Sequence, residues 1–412
     1  MNFLEKLQEY AHLTVAAGAH VSEGKYVLLS CPTNAAAFGR LLAEEAFRAG
    51  ARDVIPLFYD EKLARTRLDH ADIAEYKNVP EWMAEQRNYY ARKGCVSISV
   101  ISEDPEIFAG ADGEKLMAGT VAKKKSFKEF YDAIDRGDLR WTIVAYPCEA
   151  WAHKMFPELS VKRAVNQLWN AIFRSVRITQ GDTLKKWQRH DLRLKKRADY
   201  LNRSKFSALE FRSGLGTDLT VGLPEGHIWC GGSETSTDGL KFFPNMPTEE
   251  VFTMPHRARA DGKVYASLPL SYQGRLIENF SLTFRDGEVI AYHAEQGGDA
   301  LEHLLSTDEG SRRLGEVALI PHHSPISDMA LLFYNTLFDE NASCHLALGD
   351  CYPNTIAGGE SMSENELWER GGNHSANHVD FMIGTADMSV TGISPDGSRT
   401  IVFENGNFKE IN

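Results

Sequence analysis

The chain has few cysteines and no closely spaced pair of them. Its six (Cys31, Cys95, Cys148, Cys230, Cys344 and Cys351) are scattered over 412 residues without a single C-x-x-C spacing. That scatter argues against a disulfide framework and suits a reducing cytoplasm. No apolar run reaches the length of a membrane span. The opening Met1-Asn2-Phe3-Leu4-Glu5-Lys6 has no charged-then-apolar signal segment with a small-residue cleavage site. A soluble, cytoplasmic protein with no membrane partner is expected. Positive charge is in deficit, with 45 Lys and Arg against 57 Asp and Glu and a formal net charge of −12. Nucleic acid and anionic membrane are therefore excluded as principal partners. Internal repeats and low-complexity segments are also absent.

Phosphate-binding signatures are missing as well. The turn after the first expected strand reads Cys31-Pro32-Thr33-Asn34, without the G-x-G-x-x-G that brings backbone against a pyrophosphate. Gly110 and Gly113 are followed by no Gly-Lys-Ser or Gly-Lys-Thr. A nucleotide cofactor is not indicated.

What is present is ordinary globular composition, 43% hydrophobic and 25% charged, in a chain long enough for two domains. Phe3, Leu4, Leu7, Tyr10, Ala11 and Thr14 recur at helical spacing. Tyr26 to Cys31 reads as a strand, Asn34 to Ala49 as a helix stopped by Gly50, and Asp53 to Tyr59 as a second strand. That is a βαβ unit, hence parallel strands. Pro80 to Arg92 reads as a helix, and Cys95 to Ile101 and Trp141 to Tyr146 as further strands. Lys123-Lys124-Lys125 is expected to start a solvated helix, and Val161 to Val176 and Asp182 to Leu201 read as helices. The last of these carries seven Lys and Arg between Lys185 and Arg197. Because Leu184, Trp187, Leu194, Ala198 and Leu201 share its other face, those charges are expected to solvate it.

After about Phe206 the texture changes to short strands and tight turns, with Arg285-Asp286-Gly287 marking a hairpin between Asn279–Phe284 and Glu288–His293. The expected organisation is an α/β domain with a Rossmann-like parallel sheet over residues 1–205. A largely β domain over 206–412 follows it and carries the chemistry.

That chemistry concentrates in short stretches. His378-Val379-Asp380-Phe381-Met382-Ile383-Gly384 reads as a strand, on which residues two apart face the same way, so His378 and Asp380 point together. An imidazole and a carboxylate on one face can share a divalent metal. Leu314-Gly315-Glu316-Val317-Ala318-Leu319-Ile320 sets one carboxylate inside an apolar strand, where its charge requires neutralising or pairing. A buried arginine partner for Glu316 is the competing expectation. Glu249-Glu250 precede the apolar run Val251-Phe252-Thr253-Met254. Glu340 and His345 flank a turn, and Cys351-Tyr352-Pro353 follows. Four carboxylates and two imidazoles are too carboxylate-rich for a closed structural zinc site. They suit two neighbouring divalent ions with a bridging carboxylate or water.

These stretches resemble the thermophilic aminopeptidase T family of cytoplasmic metallo-aminopeptidases, which also includes aminopeptidases S and II. The resemblance is carried by Pro247-Thr248-Glu249-Glu250-Val251-Phe252-Thr253, Gly315-Glu316-Val317-Ala318, Glu340 to His345, and Asn377 to Gly384, and it covers nearly the whole chain. It implies a two-metal site with Glu250, Glu316, Glu340, His345, His378 and Asp380 as ligands, the ions being zinc, cobalt or magnesium. It also implies that Tyr352 assists catalysis, that the enzyme is a homodimer, and that peptides with a free N-terminus are cut with broad specificity and a preference for apolar first residues. Glu316 is the expected bridge between the ions, and Glu249 a candidate for proton transfer. Cys344 is expected to pack rather than react, and His374 is not required.

Two other functions fit the same residues. One is another metal-dependent amide hydrolase, a dipeptidase or carboxypeptidase. The other is a non-enzymatic, metal-stabilised binding protein. A carboxypeptidase needs a cation for the terminal carboxylate. No arginine falls within the five motif stretches, although Arg257, Arg259 and Arg275 lie in the same half.

Overall fold

The computed structural model describes residues 1–409. The chain forms two compact units, residues 1–188 with 233–247 and residues 189–232 with 248–412. The units thus interleave along the chain, while the change of texture in the sequence falls near residues 203 to 208. Among the described residues, no helix is long and apolar enough to cross a membrane.

The first unit is built on a parallel sheet, as the βαβ reading requires. Its strands are β1 (Tyr26–Pro32), β2 (Asp53–Tyr59), β3 (Val96–Ile101), β4 (Arg140–Ala145) and the short β5 (Asn245–Met246). They lie in the order β2-β1-β3-β4-β5, and every pair is parallel. Val27, Leu28, Leu29, Ile98 and Val100 are buried, which is why these strands read as continuous apolar runs. One local expectation is corrected. Lys123-Lys124-Lys125 closes the helix Gly113–Ser126 rather than starting one. The Asp112 side chain caps that helix by accepting from the Glu114 and Lys115 amides. Cations belong at a helix C-terminus, where the macrodipole is negative.

The second unit is mainly antiparallel. An eight-stranded sheet runs between Ala208 and Phe408 and includes the expected hairpin, Ser281–Arg285 with Glu288–His293. A four-stranded sheet consists of β6 (Val251–Thr253), β7 (Leu314–Leu319), β8 (His345–Gly349) and β9 (His378–Met382), in that order. Leu194, Ala198 and Leu201 of the helix Thr183–Ser204 join one apolar core with residues of both sheets. Lys185, Arg189, Arg193 and Lys196 are exposed as expected, whereas Arg197 is corrected: it lies half-buried over the Phe408 ring at 4.6 Å.

The register of the four-stranded sheet decides what its faces carry. Phe252 stands opposite Ala318, Ala318 opposite His345, and His345 opposite Met382. Two residues along, and so on the same face, Glu316, Ala347 and Asp380 are aligned. Directly paired residues project to the same side, so imidazole, carboxylates and alanines share one face. Val251, Val317, Leu319, Leu346, Leu348 and Phe381 take the other and are buried in the core. Two glycines permit the close packing at the end of this sheet. A Cβ on Gly315 would lie 2.0 Å from the Asp350 carbonyl oxygen. Gly349 has φ +114° and stands against Asn377 in the same way.

Candidate metal centre

His345, only 1% exposed at its side chain, is the hub of the polar face. Its Nε2 lies 3.3 Å from Glu250 Oε2, 3.3 Å from Glu316 Oε1 and 3.9 Å from Asp380 Oδ1. His378 Nε2 is 3.5 Å from Asp380 Oδ1 and 3.7 Å from Glu316 Oε2. Glu316 therefore sits between the two imidazoles and turns one oxygen to each. Glu340 is half-buried beside them and accepts a 3.3 Å hydrogen bond from Asn341 Nδ2. The structure brings all six residues into one neighbourhood. The buried partner of Glu316 is histidine, and no lysine or arginine pairs with the four carboxylates among the described residues.

Both imidazoles are oriented from behind. His345 Nδ1 faces the Glu340 carbonyl at 3.0 Å and the Ser343 carbonyl at 3.2 Å. His378 Nδ1 faces the Asp350 carbonyl at 2.8 Å. A carbonyl only accepts, so each Nδ1 carries the proton and donates it. Nε2 of both rings is left toward the carboxylates, the arrangement that orients metal-bound histidines.

The profile of the thermophilic metalloprotease (M29) family matches residues 3–408. The chain belongs to that family. It is 42% identical to aminopeptidase AmpS of Bacillus subtilis (strain 168), over 99% of each chain. It is 41% identical to aminopeptidase T of Thermus thermophilus, over 98% of each. The solved structure of wild-type AmpT from Thermus thermophilus superposes with a TM-score of 0.91 at 40% identity, covering 99% of this chain and 100% of that one. As a member of the M29 family the protein is a metal-dependent peptide hydrolase.

The side chains fit the divalent ions that the family implies. Donor atoms of Glu250, Glu316 and His345 all lie within 4.8 Å of one another, and Asp380 Oδ1 is buried without a hydrogen-bond partner. Electrostatics point the same way. Burial, reinforced by Glu250 and Asp380, raises the Glu316 carboxyl above its ordinary value against the opposing His345 and His378. Burial and the same carboxylates hold Glu340 well above it. Burial disfavours a charged His378, yet Asp380 and Glu316 outweigh it and push the imidazole up to about 9. Protons thus balance the excess negative charge, and a cation can take their place.

Tyr352 stands over the cluster. Its ring centroid is 4.7 Å from that of His378 and 6.0 Å from that of Phe252. Desolvation and the fields of Glu316, Asp380, Glu340 and Glu250 hold its phenol well above the usual tyrosine range.

Glu249, the candidate proton acceptor, is buried and lies 3.7 Å from His190 Nε2. His374 is half exposed and pairs with Asp350 at 3.2 Å. Cys344 is buried, donates to the Ile320 carbonyl, and has its thiol pushed up to about 11 by burial. It is a packing residue. Arg257 lies 3.9 Å over the Trp368 ring, Arg259 donates to the Leu223 and Ser207 carbonyls, and Arg275 pairs with Asp299. Sequence reasoning missed Asn341, which is fully buried. Its Oδ1 accepts from the Glu249 amide at 2.7 Å while Nδ2 donates to Glu340 and to the Leu337 carbonyl. It ties the segment carrying Glu250 to the segment carrying Glu340. Nothing in the stretch Asp339-Glu340-Asn341-Ala342 distinguishes it from an ordinary turn asparagine.

Proposed function

We propose that this M29 metalloprotease is an aminopeptidase that releases N-terminal residues from peptides by means of two divalent ions per subunit. The observation that carries the reading is Glu316, buried and shared between two imidazoles, one oxygen to each. That disposition suits a carboxylate bridging two cations. Glu250, Glu340, His345, His378 and Asp380 would complete the ligand set, with zinc, cobalt or magnesium as the ions. When bound, the ions would lower the pKa of a water molecule and polarise the scissile carbonyl.

The remaining work falls to side chains. The Tyr352 hydroxyl keeps its proton and donates a hydrogen bond to the oxygen of the tetrahedral intermediate. Glu316 holds the geometry of the site, and as a bridge it is a poor base. Glu249 lies against His190, so proton transfer is assigned to a carboxylate of the cluster itself. A free α-amino group can bind a metal ion or a nearby carboxylate, and this site would offer both. Arg257, Arg259 and Arg275 are engaged elsewhere, which speaks against a carboxypeptidase. The aminopeptidase names of the relatives support the same end. A cytoplasmic homodimer belongs to this reading too, supported by the family resemblance and, for the compartment, by six unpaired cysteines.

The test compares a peptide carrying a free α-amino group with its N-acetylated form. Acetylation should abolish cleavage. Equal rates on both would refute the aminopeptidase assignment even with metal bound. Recovery of a chelated sample on adding divalent metal separates an enzyme from a metal-stabilised binding protein.

A further inference from the structure

Phe252 lies on the polar face of the four-stranded sheet, two residues after Glu250. It faces Ala318, which in turn faces His345. On its other side it exchanges both backbone hydrogen bonds with Cys230, at 2.8 and 2.9 Å, so Cys230 joins the same row. Phe252 and Cys230 are each half-buried, unlike Val251 and Thr253, which are buried on the core side. The Tyr352 ring closes on Phe252 edge to face and also touches His378. Cys230 Sγ approaches the carbonyl of Asn354, two residues beyond Tyr352, at 3.6 Å. A patch of partly open apolar surface thus runs directly beside the buried carboxylates. Apolar surface in such a place gains from an apolar partner.

We infer that Phe252, flanked by Tyr352 and Cys230, is the specificity-determining residue that receives the side chain of the peptide's first residue. The inference rests on the aminopeptidase reading. If the α-amino group is held by the carboxylates and the first carbonyl lies under Tyr352, the first Cα is between them. Its side chain is then within reach of the Phe252 ring. A large apolar side chain covers that ring, whereas alanine leaves much of it in contact with water.

The experiment measures kcat/KM for leucyl and alanyl peptides with the parent enzyme, Phe252→Ala and the milder Phe252→Leu. Inhibition by free leucine and free alanine is measured alongside, and bound metal is determined for each protein. The leucyl-to-alanyl ratio should fall about tenfold or more in Phe252→Ala, the scale that a hydrophobic pocket supplies. Phe252→Leu should give a smaller fall in the same direction. Inhibition by leucine should weaken more than inhibition by alanine, with metal content as in the parent. An unchanged ratio, or an equal loss on both peptides, overturns the assignment of Phe252. Should Phe252→Ala fail to fold, Phe252→Leu decides by the same criterion. Failure of the aminopeptidase reading shows separately, as cleavage of the acetylated peptide by the parent enzyme.

Discussion

Glu316 shows most directly how one residue can be read by its cost. A carboxylate inside an otherwise apolar strand demands compensation, and the structure supplies two histidines instead of an arginine. Glu316→Gln keeps the size and removes the charge. The variant should fold, lose bound metal and lose turnover; if it turns over peptide at the parent rate, Glu316 is not a ligand. Tyr352→Phe is expected to leave metal content unchanged while kcat falls about 10²- to 10³-fold, the usual effect of removing one oxyanion donor. An undiminished kcat would return Tyr352 to a packing role. Neither role could be weighed from the residue alone, since a tyrosine before a proline is commonplace. The family resemblance and the contact with His378 together single it out.

At the scale of elements, β9 (His378–Met382) is placed by the loop before it, and that loop is organised by Asp308. The Asp308 carboxylate accepts from the Ser311 amide and hydroxyl and from the Ser375 hydroxyl, all at 2.8 Å, and from the Ala376 amide at 2.7 Å. Burial alone would raise its pKa, but these hydrogen bonds outweigh burial and hold the carboxyl below its ordinary value. A depressed folded-state pKa means stabilisation that is complete above the unfolded value of about 3.9 and lost as pH falls through the folded one. Asp308→Asn should therefore lower unfolding stability by about 1–3 kcal/mol near neutrality, the range for hydrogen bonds to a charged group. The difference from the parent should shrink below about pH 4. Denaturant titrations at several pH values check this, and a difference independent of pH would contradict it. The strands themselves were largely legible, since Leu314 to Ile320 and His378 to Gly384 announce their period and punctuation. The Asp308 network was not, because its members are spread over nearly seventy residues in ordinary loop composition.

For the molecule as a whole, the gathered carboxylates make stability depend on cations. Four acids brought together in the folded state repel one another, and the unfolded chain relieves that repulsion. An ion held only by the folded chain stabilises it by about 4 kcal/mol when its free concentration is a thousand times the dissociation constant. Chelation should thus lower the thermal midpoint in calorimetry, and restored metal should return it. A midpoint indifferent to chelator would mean that protons, not ions, balance the cluster. The net charge of −12 works in the same direction over longer range.

The sequence by itself determined the classes of structure on either side of the chain's midpoint, because hydrophobic periodicity and turn residues are local properties. It also offered six acids and histidines as candidate ligands, but only Glu316 stands out by its own setting, a carboxylate inside an apolar strand, and the set as a whole came from the family resemblance. What it left to the tertiary structure was adjacency. Register across β6, β7, β8 and β9 puts Phe252, Ala318 and His345 in one row and Glu316, Ala347 and Asp380 two residues along on the same face, and no local pattern encodes a pairing between strands that far apart. The same holds for the carbonyls that fix both imidazole tautomers and for Asn341, which joins the segment of Glu249 and Glu250 to that of Glu340. Glu249 was separated from its neighbour Glu250 only by the folded chain, which brings His190 to the one and His345 to the other.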